Sequence, residues 1–387
     1  MQWVEHKQAG LSVPAPDLGL LERALAARPD NPALHDALGT ALFSRHDHER
    51  AAAAYAEAER LDPAGFSNWG LFAAALLELG DAEAALALTD RGLELGARES
   101  LRHYRGLALR KLGRHDEAVA DLMRALASGP GLFHTLKALL FPMTRDADGA
   151  PLLAACDALP DPYGATAGAR ACRAIALSRI GRIEEARALV DLDRHVAIRR
   201  FDPPPEFGGL EAFNRRLAEE IRHDPPPAPT RDGFEINYSP RPTTSPAVTA
   251  LTAFTKTAIE EYLARLPEMG LADSMPVPER ASLSRSTVVL HRDGTNAEHI
   301  HAFSLVSTVY YVEVPASVRD AEDDRGALLL GGCAETSGGY RACWGTRTIR
   351  PEPGMLVIFP AHFFHDVIPT RSDAPRIVVS ADMEAAD

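Results

Sequence analysis

The sequence predicts a multidomain chain: an N-terminal all-α solenoid of helical repeats, then a C-terminal double-stranded β-helix, or jelly roll, with flanking helices. Three observations carry that reading. Over the first two hundred residues, apolar positions recur at helical spacing and a short motif returns about every 34 residues. Proline clusters at Asp202-Pro203-Pro204-Pro205 and Asp224-Pro225-Pro226-Pro227-Ala228-Pro229 then break the helical pattern. Beyond them come short runs rich in Val, Ile, Thr and Tyr, punctuated by Gly, Pro and Asp. The expected parts are 1–200 (repeats), 201–232 (helix and connector) and 233–387 (β domain).

Composition bounds the function. A length of 387 residues leaves room for two or three cores. With 46% hydrophobic and 25% charged residues, the chain has the balance of a soluble globular protein. A net charge of −13 argues against nucleic acid as a partner, because phosphate binding needs clustered Lys and Arg. The acidic run Glu322-Asp323-Asp324 reads as a solvated loop. Cys156, Cys172, Cys333 and Cys343 show no CxxC spacing, which suits a reducing compartment and no cysteine-bound zinc. No apolar run reaches membrane-spanning length, and Met1-Gln2-Trp3-Val4-Glu5-His6-Lys7 lacks a signal-peptide core. The expected location is the cytoplasm.

The repeat is visible in its turns. His46-Asp47-His48-Glu49, Gly80-Asp81-Ala82-Glu83, Gly113-Arg114-His115-Asp116 and Gly181-Arg182-Ile183-Glu184 follow one another at offsets of 34, 33 and 68. The last offset is two units, so a degenerate repeat is expected over 132–164, with Pro142, Gly149 and Leu159-Pro160-Asp161-Pro162 marking its lapse. A turn glycine at each helix end accepts positive φ. Leu38, Gly39, Leu42, Ala51, Tyr55, Ala58 and Pro63 alternate small and large residues within one unit, and Trp69 begins the next. Over about 18–195 this pattern resembles the tetratricopeptide repeat family. The resemblance implies a concave groove that holds a protein or peptide partner.

After the repeats, Leu210, Phe213, Leu217 and Ile221 predict an amphipathic helix at 209–222, and the second proline cluster predicts a stiff extended connector. Leu251, Phe254, Ile259 and Leu263 predict another helix at 246–267. Strands are expected at 283–291, 298–312, 326–331, 342–350, 355–360, 363–369 and 375–382. Antiparallel strands of this number and length suit a closed jelly roll whose mouth can hold a ligand or metal.

The chemistry concentrates near the C-terminus. His299 and His301 share one face of a strand, because side chains alternate with period two. His365 ends another apolar segment, and Arg376 opens the last strand. Imidazole is the commonest ligand for Fe, Zn, Cu and Ni, so a close pair plus a distant third histidine predicts an open metal site in a barrel. His362 is a weaker candidate. Tyr310, Tyr311 and Phe359 read as packing residues that could line a pocket, and Trp344 as a residue near a substrate opening.

The segment Gly294 to His301 with Leu305 to Pro315, then Pro353 to Pro360, His365 to Pro369 and Arg376 to Ser380, resembles the bacterial and phage branch of the 2-oxoglutarate/Fe(II) oxygenase superfamily. The lead-ins Phe213-Asn214-Arg215-Arg216-Leu217 and Thr230-Arg231-Asp232-Gly233 resemble it too, so the likeness spans about 205–385. It implies Fe(II) and 2-oxoglutarate as cofactors, His299 and His365 as ligands, and Arg376 as the anchor of the far carboxylate of 2-oxoglutarate, with Ser380 adding a hydroxyl. The family's usual carboxylate position holds His301. Three readings follow: all three histidines ligate; Asp293 or Glu298 supplies an oxygen; or the site is altered. His291-Arg292-Asp293 offers a second His-x-Asp.

The resemblance implies a dioxygenase that hydroxylates a protein, peptide or small molecule, with the repeats recruiting a partner. Fusion of repeats to such a domain is similar to the arrangement of aspartyl β-hydroxylases, an analogy of fold only. Two other classes stand beside it: a non-catalytic repeat scaffold with an inactive barrel, and a cupin-like three-histidine metalloenzyme that uses no keto-acid. Oligomeric state is not written in the sequence.

Overall fold

The computed structural model describes residues 1–4, 17–127, 135, 138, 149–159, 163–223, 234–237, 245–334 and 339–386. The chain falls into two compact units, one formed by 8–144 and one by 1–7 together with 145–387.

Among its described residues the first unit is helical: α1 (Leu18–Ala27), α2 (Pro32–Phe43), α3 (His48–Leu61), α4 (Trp69–Glu78), α5 (Ala82–Glu94), α6 (Arg102–Lys111) and α7 (His115–Ala127). The helices start where side-chain oxygens can take the first free N–H groups. Asn31, Asp47 and Asp81 cap α2, α3 and α5 in this way. The turns obey the repeat: Gly80 and Gly113 sit at φ +84° and +75°, and His46 holds the equivalent place at φ +60°. The small positions are small because the helices approach closely. A Cβ on Gly39 would come 2.7 Å from the ring of Tyr55, which is wholly buried. Tyr55, Phe66, Trp69 and Phe72 form one core with Leu42, Leu88 and Leu101.

The second unit opens with three more helices, α8 (Gly149–Asp157), α9 (Ala167–Arg179) and α10 (Ile183–Leu189). Gly181 turns between the last two at φ +77°, as the repeat predicts. Yet this helical pair belongs with the barrel, which moves the seam from the expected 200 to about 145. The reason is burial. Ala174, Val190 and Leu192 share a core with the barrel residues Val309, Val357 and Phe359. Arg170, 2% exposed, donates to the carbonyls of Ala165 and Ser274 and lies 3.4 Å from Nδ1 of His362. His362 Nε2 bonds the Leu189 carbonyl at 2.9 Å. The degenerate repeat at 132–164 falls largely outside the described residues, as do the 224–229 connector and the 230–233 lead-in.

Ten strands follow the barrel logic among the described residues: β1 (Gln2–Trp3), β2 (Ala197–Arg200), β3 (Phe234–Asn237), β4 (Arg280–Leu290), β5 (Ser304–Glu313), β6 (Leu328–Leu330), β7 (Arg347–Ile349), β8 (Met355–Pro360), β9 (His365–Val367) and β10 (Arg376–Ala385). The larger sheet runs β1-β4-β10-β5-β8-β2, with β3 also on β4; the smaller runs β7-β6-β9. The two sheets face each other as a jelly roll. The seven expected strands are β4 to β10. The short β1, β2 and β3 carry too few residues for a period to show. Residues 298–312 were expected as one strand, but it breaks before Ser304. There the chain passes from the smaller sheet to the larger, with a turn closed by Ser304 N–H on the His301 carbonyl at 3.1 Å.

The larger sheet is buried on both faces. Val306, Tyr310, Val312, Leu356, Ile358 and Met383 pack outward against α11 (Leu210–His223) and α12 (Pro246–Ala264). Val288, Val309, Tyr311, Val357, Phe359 and Val378 pack inward. This explains why β8 reads as an unbroken apolar run although it is antiparallel. The helix expected at 246–267 ends at Ala264, and Pro267 lies in a separate short turn of helix, α13 (Leu266–Met269). All four cysteines are free, and no helix among the described residues is long and apolar enough to cross a membrane.

Two outcomes test this packing. Gly39→Ala drives a methyl into the buried Tyr55 ring, so it is expected to destabilise the helical unit by about 1–3 kcal/mol in denaturant unfolding. The second concerns pH. Burial, and then the adjacent Arg170 guanidinium, holds His362 well below its ordinary value of 6.5, and burial lowers His195. The unfolded chain then binds protons that the folded chain refuses. Stability from these groups is complete above about pH 6.5 and falls as pH drops below it, by up to roughly 1.4 kcal/mol per pH unit per histidine. His362→Gln is expected to flatten that fall in unfolding curves measured between about pH 5 and 7.

Candidate metal centre

Residues 296–301 lie alongside β9 at the edge of the smaller sheet. His299 and His365 exchange both backbone hydrogen bonds, each at 3.0 Å, and His301 N–H donates to the Ala361 carbonyl at 3.1 Å. Residues paired this way stand directly opposite, with side chains on the same face. Period two then puts His301 on that face as well. The ring centroids of His299 and His365 are 4.1 Å apart, and each lies 5.1–5.2 Å from that of His301. One nitrogen from each of the three rings falls within 4.8 Å of the others.

The other nitrogens are already engaged. His299 Nδ1 bonds the Ala297 carbonyl at 2.7 Å, His365 Nδ1 the Phe363 carbonyl at 3.0 Å, and His301 Nδ1 the Asp382 carboxylate at 3.0 Å. Each Nδ1 faces an oxygen acceptor and so carries the proton, which leaves Nε2 with its lone pair for a metal. Burial, and then the two neighbouring histidines, pushes His365 well below its ordinary pKa, so it stays neutral. His301 feels burial most, which lowers it, but the charge and hydrogen bond of Asp382 reverse the net shift upward.

The histidines open onto a cavity of about 530 Å³ between the sheets. The inward face of β10 lines it with Arg376, Val378, Ser380 and Asp382, every second residue. Arg376 is 1% exposed, and its Nε and Nη2 have no hydrogen-bond partner. Its guanidinium lies 4.9 Å from the Tyr311 ring. Burial lowers its pKa, opposed by the adjacent Tyr311. A buried cation with unsatisfied donors is costly unless an anion meets it.

The structure brings His299, His301, His365, Arg376 and Ser380 to one cavity. Asp293 and Glu298 are absent from the three-nitrogen group; Asp293 is exposed on a turn. His362 is turned to Leu189 and Arg170 instead. Phe359 lines the cavity, its ring 5.0 Å from that of His365. Tyr310 points to the opposite face, donating to Asn214 at 2.7 Å. Trp344, expected near a substrate opening, donates to the Gly331 carbonyl at 3.0 Å and packs on the inner core. Sequence reasoning missed Asp382 and Ser307. The signal for Asp382 was its place six residues beyond Arg376 on the same face of β10.

Residues 287–382 match the family model described as "Putative 2OG-Fe(II) oxygenase", and 103–128 match a tetratricopeptide repeat model. Residues 287–382 thus form a 2OG-Fe(II) oxygenase domain, and 103–128 a tetratricopeptide repeat. Among solved structures, a Pseudomonas putida prolyl-4-hydroxylase is 17% identical, over 51% of this chain and 96% of that one, at TM-score 0.33. A Burkholderia pseudomallei oxidoreductase of the 2OG-Fe(II) oxygenase family is 11% identical, over 45% and 82%, at TM-score 0.30. YrrB, a tetratricopeptide protein with an unusual peptide-binding site, is 15% identical, over 45% and 93%, at TM-score 0.36. No curated protein matches the sequence.

The oxygenase family brings Fe(II) and 2-oxoglutarate in general, and this domain's residues fit both. Three imidazole nitrogens suit a divalent first-row metal. The unpartnered Arg376 guanidinium suits a carboxylate. If that guanidinium awaits an anion, removing it relieves a cost. Arg376→Met is expected to leave the ligand-free protein as stable as wild type or up to about 2 kcal/mol more stable in denaturant unfolding. A clear loss of stability would mean that the protein itself satisfies the cation.

Proposed function

We propose that the barrel is an Fe(II)- and 2-oxoglutarate-dependent dioxygenase that hydroxylates a protein, peptide or small molecule. One observation carries the reading: three convergent imidazoles and an unpartnered buried arginine face the same cavity. His299, His301 and His365 would hold the iron. Arg376 would pair with the distal carboxylate of 2-oxoglutarate, and Ser380, two turns of the pleat along β10, would add a hydroxyl donor. When bound, the iron and keto-acid would let O₂ serve as the oxidant, one oxygen atom entering succinate as 2-oxoglutarate loses CO₂ and the other entering the hydroxylated product. The chain's own part is to fix three ligands on one face, grip the keto-acid and keep water out with Val288, Val309, Phe359 and Val378. No acid–base pair is required.

The helical unit has a groove of its own, of about 1060 Å³, lined by Phe66, Trp69, Tyr104, Arg98, His103 and Arg110 among others. We propose that it recruits a protein or peptide, as the tetratricopeptide repeats suggest in general terms.

The test is an anaerobic titration of Fe(II)-loaded protein with 2-oxoglutarate, watching for the weak visible band of an iron–keto-acid chelate. A saturable band is expected. It should vanish in His299→Ala and His365→Ala, and need at least about tenfold more keto-acid in Arg376→Ala. Metal binding without a band, indifferent to Arg376, would favour the three-histidine enzyme that uses no keto-acid. Absence of metal binding would leave a repeat scaffold with an inactive barrel.

A further inference from the structure

The donor set poses a question of charge. Two histidines and one carboxylate would bring a negative charge to the metal; three neutral imidazoles bring none. The structure holds a carboxylate one step further out. Asp382 Oδ2 lies 3.0 Å from His301 Nδ1, and its other oxygen accepts from the Ser307 hydroxyl at 2.7 Å. Both partners are placed by the sheet. Asp382 and Ser307 are paired across β10 and β5, and Asp382 and Ser284 across β10 and β4. The carboxylate is therefore clamped on two sides, largely buried, and aimed at one nitrogen of one candidate ligand.

We propose that Asp382 is a positioning residue for the metal centre, orienting His301 through its Nδ1 and lending the site the negative charge that the missing carboxylate ligand would have brought. Ser307 fixes the carboxylate that does so. A carboxylate behind a ligating imidazole sets the tautomer, fixes the orientation of the ring and makes Nε2 a stronger donor. The Nδ1 atoms of His299 and His365 face the backbone carbonyls of Ala297 and Phe363. His301 has a carboxylate at its Nδ1, and it stands at the position where the family usually places a carboxylate. The inference rests on the metal-site reading above.

Cobalt(II) titrations of the full chain, followed by its visible bands, separate the two ideas. Wild type is expected to bind one Co(II), and His299→Ala to lose it. If wild type binds none, or His299→Ala binds as well, the metal site itself fails and this inference falls with it. If that control holds, Asp382→Asn, which keeps shape but removes charge, is expected to weaken Co(II) binding about 10–100-fold. Ser307→Ala should weaken it less, roughly threefold or more, with the carboxylate still present. The deciding measurement is the double variant. In a His301→Ala background, Asp382→Asn should cause no further loss, because the residue through which it acts is gone. Wild-type affinity in Asp382→Asn overturns the proposal. An equal loss with and without His301 also overturns it, making Asp382 a ligand in its own right or a general support. Should Asp382→Asn fail to fold by circular dichroism, Ser307→Ala takes its place: a loss that disappears without His301 supports the proposal, and no loss, or an equal loss in both backgrounds, overturns it.

Discussion

The two backbone hydrogen bonds between His299 and His365 are the constraint on which the site depends. They are short-range in space and long-range in sequence, joining the segment after β4 to the strand after β8. Once they form, the pleat leaves little choice. His299 and His365 must face the same way, His301 follows two residues on, and the cavity side of the smaller sheet receives all three imidazoles. A slip of one residue in that pairing would send every one of them to the opposite face. The His301 N–H on the Ala361 carbonyl is a second peg against such a slip.

The larger sheet works under a different constraint. Both of its faces are buried, the outer one under α11 and α12 and the inner one in the barrel, so polar residues inside it must be justified by partners. Tyr310 has Asn214, Ser307 has Asp382, and Thr308 donates to the Ala381 carbonyl at 3.0 Å. Arg376 stands apart, buried at the cavity with two guanidinium nitrogens that have no hydrogen-bond partner. A fold selected for stability alone would place an aliphatic residue there. Its retention beside Tyr311 is the kind of local inconsistency that marks a binding function.

The barrel also takes structural material that the sequence assigns to the repeats. Helices α9 and α10 keep the repeat's turn glycine, yet Ala174, Val190 and Leu192 are buried in a core shared with the barrel. Arg170, His362 and the Leu189 carbonyl form a polar tie across that contact, and His195, bonded to the Met269 carbonyl at 3.1 Å, forms another. The last repeat-like hairpin therefore acts as a wall of the barrel.

Periodicity determined much from sequence alone. The 34-residue return of the turn predicted helical hairpins, because a residue that takes positive φ recurs where the chain reverses. Runs of Val, Ile and Tyr predicted seven of the ten strands, because β-branched and aromatic residues suit a pleated, buried surface. His299, His301, His365 and Arg376 were legible as a group through their spacing and family resemblance. What tertiary structure alone decided was which atoms meet. The seam lies near 145 because burial against the barrel, not helical period, defines a compact unit. Trp344 turned into packing, and Asp293 stayed on an exposed turn, because neither faces the cavity. For Asp382 the sequence offered only its alternation with Arg376 along β10. Its role exists only because β10 pairs with β5 and lies opposite the segment holding His301. A contact between residues about eighty positions apart is a property of register, which no single stretch of sequence encodes.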